Sequence, residues 1–111
     1  MISENDVEKR LINKIKNLGG ATFKFTSPST KGVPDRIVIY DGVVAFVEVK
    51  RPGEKPRALQ RYWLKELAHQ NIKAAVVSTF EEVDSFVAEI IGGVDWKQYY
   101  MITKIIVLIL S

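Results

Sequence analysis

The sequence predicts an α/β sandwich, in which a central mixed β-sheet is flanked by helices in the order α-β-β-β-α-β-α. Three observations predict this class. Segments with apolar residues at helical spacing lie at both ends of a set of short apolar strands. The dipeptide Asp41-Gly42 favours a two-residue hairpin between two of these strands, which makes them antiparallel. A further helical segment separates the hairpin from the last strand, and such a connection allows a right-handed parallel crossover.

Length and composition describe an ordinary globular chain. Its 111 residues suffice for one domain with its own core, and 47% of them are apolar. The absence of cysteine excludes a disulfide framework and a thiolate metal site, and it fits a reducing compartment. The polar start "MISENDVEKRL" is not typical of a secretory signal or a membrane anchor. A net charge of +3 is compatible with a polyanionic partner but does not identify one.

Residues 4–18 predict the first helix, because their apolar side chains recur at helical spacing. Ser3 is a candidate N-cap, and Gly19-Gly20 follows the segment, as glycine commonly does where a helix ends. Residues 21–25, "ATFKF", alternate in polarity and predict a strand. The turn residues of "TSPSTKG" then predict a loop.

The two strands of the hairpin, "RIVIY" and "VVAFVEVK", are apolar on both faces, which favours central places in the sheet. A basic loop follows, in which Pro56 opens the next helix at its first position. The apolar stripe of that helix is predicted to turn these side chains to the core: Leu59, Tyr62, Trp63, Leu67 and, less regularly, Leu64. The buried strand "IKAAVVS" comes next. A third helix then begins at a capping box headed by Ser78 or Thr79.

Residues 1–92 are predicted to form the single domain, and residues 93–111 an apolar extension. The segment "YYMITKIIVLIL" is shorter than the ~20 residues of a membrane span, and Lys104 interrupts it. Its β-branched content favours a strand. Burial in a dimer interface, or strand exchange, is the preferred account, because an exposed apolar strand promotes aggregation. Packing across the chain's own core is the alternative.

Three charged residues interrupt the hairpin where a buried strand favours apolar side chains: Asp35, Glu48 and Lys50. Counting back from the turn, Asp35 lies opposite Glu48, with Cβ atoms about 4.5–5.5 Å apart. Lys50 leaves the same face of the strand as Glu48. Two opposed carboxylates repel each other unless a cation lies between them. In the plainer alternative, Asp35 caps its strand, and Glu48 and Lys50 form a solvated ion pair.

This cluster indicates metal-assisted hydrolysis of a phosphodiester. The two carboxylates and the backbone carbonyl of Val49 are hard oxygen ligands of the kind that Mg²⁺ prefers, and Mg²⁺ commonly meets substrate phosphate. Lys50 can orient or deprotonate a water, or stabilise charge on the phosphate under attack. Five basic residues in the flanking loops would contact phosphates without reading sequence, unless they are only a solvated surface: Lys31, Arg36, Arg51, Lys55 and Arg57.

At these residues the chain resembles the PD-(D/E)XK nuclease superfamily, through Pro34-Asp35 and Glu48-Val49-Lys50. It resembles the VRR-NUC family of that superfamily more closely. The shared pieces follow each other in the family's order over residues 4 to about 90: "ENDVEKRL", "LGG", "FKFTSPSTKGVPDR", "VEVKRPG", "ALQRYW" and "AAVVSTFEEVDSF". The resemblance implies a restriction-endonuclease-like fold and DNA cleavage that depends on Mg²⁺ or Mn²⁺.

Carried over by position, the resemblance implies a role for each residue of the cluster. Asp35 and Glu48 would be metal ligands with the carbonyl of Val49, and Lys50 would be the catalytic lysine. Gln60 matches a glutamine that supports the site through hydrogen bonds. The family's helix-one glutamate would be Glu8, which lies in line with the helix's apolar stripe, or Glu4, one turn earlier on the same face. Glu8 is preferred.

Stand-alone VRR-NUC proteins of this size look like phage-encoded enzymes that dimerise and act on four-way junctions. The resemblance therefore implies a homodimeric endonuclease that resolves Holliday junctions in the cytoplasm, of the host cell if phage-encoded, without a membrane partner. Three alternatives stay open. They are a flap or nicking nuclease with the same site, a DNA-binding module that does not cleave, and a membrane- or partner-binding protein led by the extension.

Overall fold

The computed structural model describes residues 1–92 and residue 109, and it contains three helices and four strands there. The elements are α1 (Glu4–Asn17), β1 (Ala21–Lys24), β2 (Arg36–Tyr40), β3 (Val43–Val49), α2 (Ala58–His69), β4 (Lys73–Val77) and α3 (Phe80–Ile91). The predicted order α-β-β-β-α-β-α is confirmed. The predicted apolar extension, except for residue 109, lies outside the described residues.

The four strands form one mixed sheet in the order β1-β2-β3-β4. Its first two pairs are antiparallel, and β3 pairs with β4 in parallel, as the intervening helix predicted. The hairpin strands are central, in agreement with their two apolar faces. Asp41 and Gly42 have φ values of 46° and 80°, the left-handed conformations that a type I′ turn requires. This turn sets the register, which pairs Tyr40 with Val43 and reaches Arg36 opposite Val47.

The core lies between one face of the sheet and helices α1 and α3. Leu11 and Ile15 of α1 are fully buried against it, and burial of each such side chain stabilises the fold by about 1.5–3 kcal/mol. Ser3 begins α1 with a reciprocal capping box, in which its hydroxyl accepts from the N–H of Asp6 and the Asp6 carboxylate accepts from the N–H of Ser3.

An ion-pair cluster joins α1 to α3 at the surface of this layer. Asp84 of α3 accepts two hydrogen bonds from the Arg10 guanidinium, at 2.9 and 2.8 Å, and lies 2.8 Å from the Lys14 ammonium. These hydrogen bonds hold the pKa of Asp84 well below its usual range. The cluster therefore holds the N-terminal helix, which carries both helix-one glutamates, against the rest of the fold.

The opposite face of the sheet is only partly covered. Helix α2 packs beside β4 on that side and contains no buried residue, so the prediction that its apolar stripe enters the core is wrong for Leu59 and Tyr62. They are 49% and 55% exposed. Three large apolar side chains on the sheet side are also exposed: Phe23, Val44 and Ile72. We call these three the open sheet face.

The start of α2 differs from its prediction. Arg57 is the N-cap and Ala58 the first helical residue, so Pro56 lies just before the helix rather than at its first position. The third helix starts as predicted, because the Thr79 hydroxyl accepts from the N–H of Glu82. Among the residues that the structure describes, no helix has both the length and the apolar character needed to cross a bilayer.

Candidate active site

Asp35 and Glu48 face each other at the open end of the hairpin. Asp35 directly precedes β2, and the register that pairs Arg36 with Val47 assigns the next position, Asp35, to Glu48. Glu48 is buried, with 5% of its surface exposed, whereas Asp35 is exposed. Burial raises the pKa of Glu48 to about 7, and the negative charge of Asp35 adds to this increase. The two carboxylates therefore form one electrostatically coupled pair.

Lys50 supplies a buried positive charge beside this pair. Its Nζ lies 3.8 Å from a carboxylate oxygen of Glu48 and 3.3 Å from one of Glu54, and only 5% of the residue is exposed. Its backbone N–H donates to the carbonyl of Val77 at 2.9 Å, which anchors the end of β3 to β4. The ammonium thus lies between the carboxylates of Glu48 and Glu54.

Glu54 is a site residue that the sequence reasoning missed. The N–H of Glu54 donates to the carbonyl of Arg51 at 3.1 Å across a turn in which Gly53 has a φ of 86°. Pro followed by Gly is the usual pattern for such a turn. The turn brings the Glu54 carboxylate back to both Lys50 and Arg51. The dipeptide Pro52-Gly53 was the available signal.

Gln60 connects α2 to the carboxylate pair. Its side-chain amide N–H donates to Glu48 at 3.3 Å, and its amide oxygen accepts from the N–H of Arg57 at 2.8 Å. Because this second bond occupies the oxygen, the amide is oriented with its NH₂ group toward Glu48. The structure thus brings Gln60 to Glu48, where the resemblance implied it would act.

The two helix-one glutamates have different surroundings. The carboxylate of Glu8 lies 3.2 Å from the guanidinium of Arg36, whose other end donates to the Thr22 hydroxyl at 3.0 Å. Glu4 is exposed, and its negative charge adds to the raised pKa of Glu48 only after burial and the charge of Asp35. The Glu8 carboxylate is therefore engaged by Arg36, and the choice of Glu8 over Glu4 as the helix-one carboxylate of the site stays a prediction.

Arg36 requires a correction as a DNA-contacting residue. Only 5% of its surface is exposed, because it belongs to the core side of β2 and pairs with Glu8 there. The other four basic candidates are exposed in the loops around the site, as predicted: Lys31, Arg51, Lys55 and Arg57. Arg57 lies close enough to Glu48 to lower its pKa, against the stronger effects of burial and Asp35.

The loop that carries Lys31 and Asp35 packs closely on α2. Gly32 adopts a φ of 89°, and a Cβ at this position would lie 2.7 Å from the side chain of Leu59. Glycine is therefore needed both for the backbone conformation and for the close approach. This contact places the loop with Lys31 next to the first turn of α2, which carries Gln60.

The donor set fits a hard divalent cation. Burial raises the pKa of Glu48 most and the negative charge of Asp35 raises it further, so a cation between the two carboxylates would offset both effects. Continuing the hairpin register places Pro34 opposite Val49, and proline has no N–H to donate to the Val49 carbonyl. Residues 1–92 contain no preassembled group of three Asp, Glu, His or Cys ligands. Waters and substrate phosphate would complete the shell, as is usual for Mg²⁺.

Comparison with known proteins identifies similarity to a family of nuclease domains. The VRR-NUC domain family matches residues 5–81 of the chain. A protein of Acyrthosiphon pisum secondary endosymbiont phage 1, named "Putative nuclease p44", is 46% identical over 61 residues. That match covers 54% of this chain and 66% of the relative, just under two thirds of its length. A solved structure titled "VRR_NUC domain" is similar with a TM-score of 0.71 at 28% identity, over 78% of this chain and 96% of that one. The chain therefore belongs to the VRR-NUC family of nuclease domains.

Proposed function

We propose that the protein is a metal-dependent endonuclease that hydrolyses phosphodiester bonds in branched DNA, with four-way junctions as its substrate and a homodimer as its active form. The observation that carries the proposal is the buried Glu48, coupled to Asp35 and flanked by Lys50, at the open end of a hairpin in a VRR-NUC fold. A carboxylate pair of this kind is not needed merely to bind phosphate, because it repels the polyanion.

Asp35, Glu48 and the carbonyl of Val49 would hold Mg²⁺, with Mn²⁺ as a substitute. When bound, the ion would polarise the phosphate and neutralise developing charge. Gln60 keeps the Glu48 carboxylate oriented through its amide N–H. The negative charge of Glu4 makes a smaller contribution to the raised pKa of Glu48, which further favours a cation at the site.

Lys50 is the catalytic residue that we assign to the reacting phosphate. Its ammonium is the buried positive charge next to Glu48, and its stem is fixed by the end of β3. An ammonium in this place donates hydrogen bonds to a phosphate oxygen or to the attacking water, and preorganised donors of this kind stabilise charge that develops in the transition state. The Glu54 carboxylate lies 3.3 Å from the ammonium and balances its charge.

Exposed cations around the site would attract the phosphates of the DNA. Lys31, Lys55 and Arg57 lie in loops on the rim of the carboxylate pair, where phosphates on either side of the cleaved bond would pass. Such contacts supply affinity without sequence readout and weaken as salt is raised. Selection by DNA shape is therefore favoured over selection by base sequence.

The homodimer is the part of the proposal that the open sheet face supports. Phe23, Val44 and Ile72 are each 38–48% exposed on one side of the sheet, and apolar residues grouped in this way mark protein interaction surfaces. A four-way junction has two-fold symmetry, and a two-fold dimer would present two matching sites to it.

We expect Val44→Asp to lower the mass in solution from dimer to monomer. Asn13→Asp, which adds the same charge on α1, should leave the mass unchanged, and a monomeric wild type would contradict the dimer.

The test of the proposed function is cleavage of a synthetic four-way junction beside matched flap, nicked, single-stranded and duplex DNA, with Mg²⁺, with Mn²⁺ and with chelator. The proposal predicts paired, metal-dependent cuts in opposite strands of the junction. Cuts confined to flap or nicked DNA would keep the nuclease and remove the junction assignment. Tight binding without cleavage of any substrate would mean that the domain only binds DNA.

A further inference from the structure

Helix α2 exposes an aromatic residue that its apolar pattern would bury. Tyr62 is 55% exposed and Leu59, one turn earlier, 49%. The Tyr62 ring is perpendicular to that of Trp63, with centroids 5.3 Å apart, so Trp63 braces the ring without covering it. A braced, exposed aromatic ring is available as a flat apolar contact for a partner.

The exposed charged side chains on the same helix as this ring are positive. Arg57, Arg61 and Lys65 are all exposed on α2 or at its N-cap. Arg61 is held at the helix start, where its guanidinium donates to the carbonyl of Pro56 at 2.6 Å. The one acid on α2, Glu66, is half-buried and accepts a hydrogen bond from Gln70. The surface therefore combines an excess of positive charge with an aromatic and an aliphatic side chain. We call its five residues the α2 surface: Arg57, Leu59, Arg61, Tyr62 and Lys65.

The α2 surface begins at the candidate active site. Gln60, whose amide contacts Glu48, is two residues before Tyr62, a rise of about 3 Å along the helix axis. Gln60 faces the carboxylate pair, and Tyr62 faces solvent from the same two turns. Leu59 packs against the loop that carries Lys31. Because side chains two residues apart on a helix project about 200° from each other, Tyr62 lies on the side of α2 away from the carboxylate pair, and a DNA strand would reach the ring by crossing the first turn of α2.

We propose that the α2 surface binds unpaired nucleotides of a DNA strand that passes the candidate active site, with a base stacked on Tyr62 and its phosphates on the flanking cations. This inference rests on the proposed function only in taking DNA as the substrate. Nucleotides join negative charge to flat apolar rings, which is the chemistry that the surface complements. Paired bases inside a duplex are already stacked and gain nothing from the ring. The contact therefore favours DNA with unpaired bases at a branch.

Binding measurements in chelator test the inference without requiring cleavage. The full-length chain would be titrated with matched duplex and with a junction that carries 2-aminopurine at an unpaired position beside the branch. We expect Tyr62→Ala to weaken binding of the junction by about tenfold or more, to leave duplex affinity nearly unchanged and to abolish the change in 2-aminopurine fluorescence. Tyr62→Phe keeps the ring and should behave as wild type.

Other outcomes would overturn the inference. Equal weakening for duplex and junction would mean that Tyr62 contributes no stacking selectivity, and failure of Tyr62→Phe would assign the effect to the hydroxyl group. A change in the mass of the DNA-free protein on Tyr62→Ala would make the α2 surface a protein interface. If no substrate is cleaved but the fluorescence response depends on Tyr62, the inference stands and the proposed nuclease function fails.

Discussion

Replacing Glu48 with Gln is expected to abolish cleavage and, at the same time, to stabilise the fold at neutral pH. Glu48 is buried beside Asp35, and its pKa is raised from 4.5 to about 7. A shift of this size corresponds to about 3 kcal/mol of unfolding free energy at pH well above 7. Gln has nearly the same shape and carries no charge, so it removes the cost of burying the charge and the repulsion from Asp35, together with the function.

The pH dependence has a definite sign. Because the pKa of Glu48 is raised on folding, the folded protein binds more protons than the unfolded chain between pH 4.5 and about 7. The free energy of unfolding that the protonated Glu48 side chain preserves is fully present below pH 4.5 and is lost as the pH rises through about 7. Urea unfolding in chelator should therefore show the largest gain for Glu48→Gln near pH 8 and a small gain near pH 5.

Glu81→Gln provides the matched control for this prediction. Glu81 is an exposed glutamate on α3, so its replacement should change the unfolding free energy little at either pH. If Glu48→Gln destabilised the metal-free protein at pH 8, the ionised Glu48 carboxylate would not be a destabilising buried charge, and a cation between Asp35 and Glu48 would not be needed to offset it.

Replacing Arg36 with Ala is expected to lower the unfolding free energy by about 3 kcal/mol or more, because it leaves the Glu8 carboxylate part-buried without its partner. The Arg36 side chain is 6% exposed, and its guanidinium also donates to the Thr22 hydroxyl. Urea unfolding of the single variants and of Arg36→Met with Glu8→Leu would measure the coupling. The double variant should recover much of the loss, since neither charge then remains unpaired.

Lys55→Ala separates the two roles that a basic residue near the site can have. Lys55 is exposed, so its replacement should weaken DNA binding in a salt-dependent manner and leave stability unchanged. Arg36→Ala should do the reverse at temperatures where the variant remains folded. Weaker DNA binding by Arg36→Ala without any loss of stability would restore Arg36 as a phosphate contact and contradict the structural assignment.

The hairpin and its opposed carboxylates were predictable because local rules determine them. Asp41-Gly42 accepts the two positive φ values of its turn, and the alternation of a strand then carries the register to Asp35 and Glu48. The N-terminal capping box and the parallel crossover are similarly local or topological. Each depends on residues that are close in sequence or on a general rule of connection.

The errors arose where a partner is distant in sequence. The sequence predicts Arg36 as a DNA-contacting residue, because nothing near it in sequence indicates its partner Glu8, which is 28 residues away on a different element. Tyr62 was assigned to the core because amphipathic spacing gives the apolar stripe of a helix but not the extent to which the sheet covers it. Glu54 was overlooked because a turn, rather than a strand or helix, returns it to Lys50.

Lys50 is the residue on which the proposed metal-dependent cleavage depends most directly. Its decisive measurement is the rate of metal-dependent cleavage of a four-way junction by wild type, Lys50→Ala and Lys9→Ala, the last being an exposed lysine on α1. We predict that Lys50→Ala loses about a hundredfold or more in rate while still binding the junction, and that Lys9→Ala matches wild type. Cleavage by Lys50→Ala at the wild-type rate, or wild-type cleavage that persists in chelator, would contradict a metal-dependent site built from Asp35, Glu48 and Lys50.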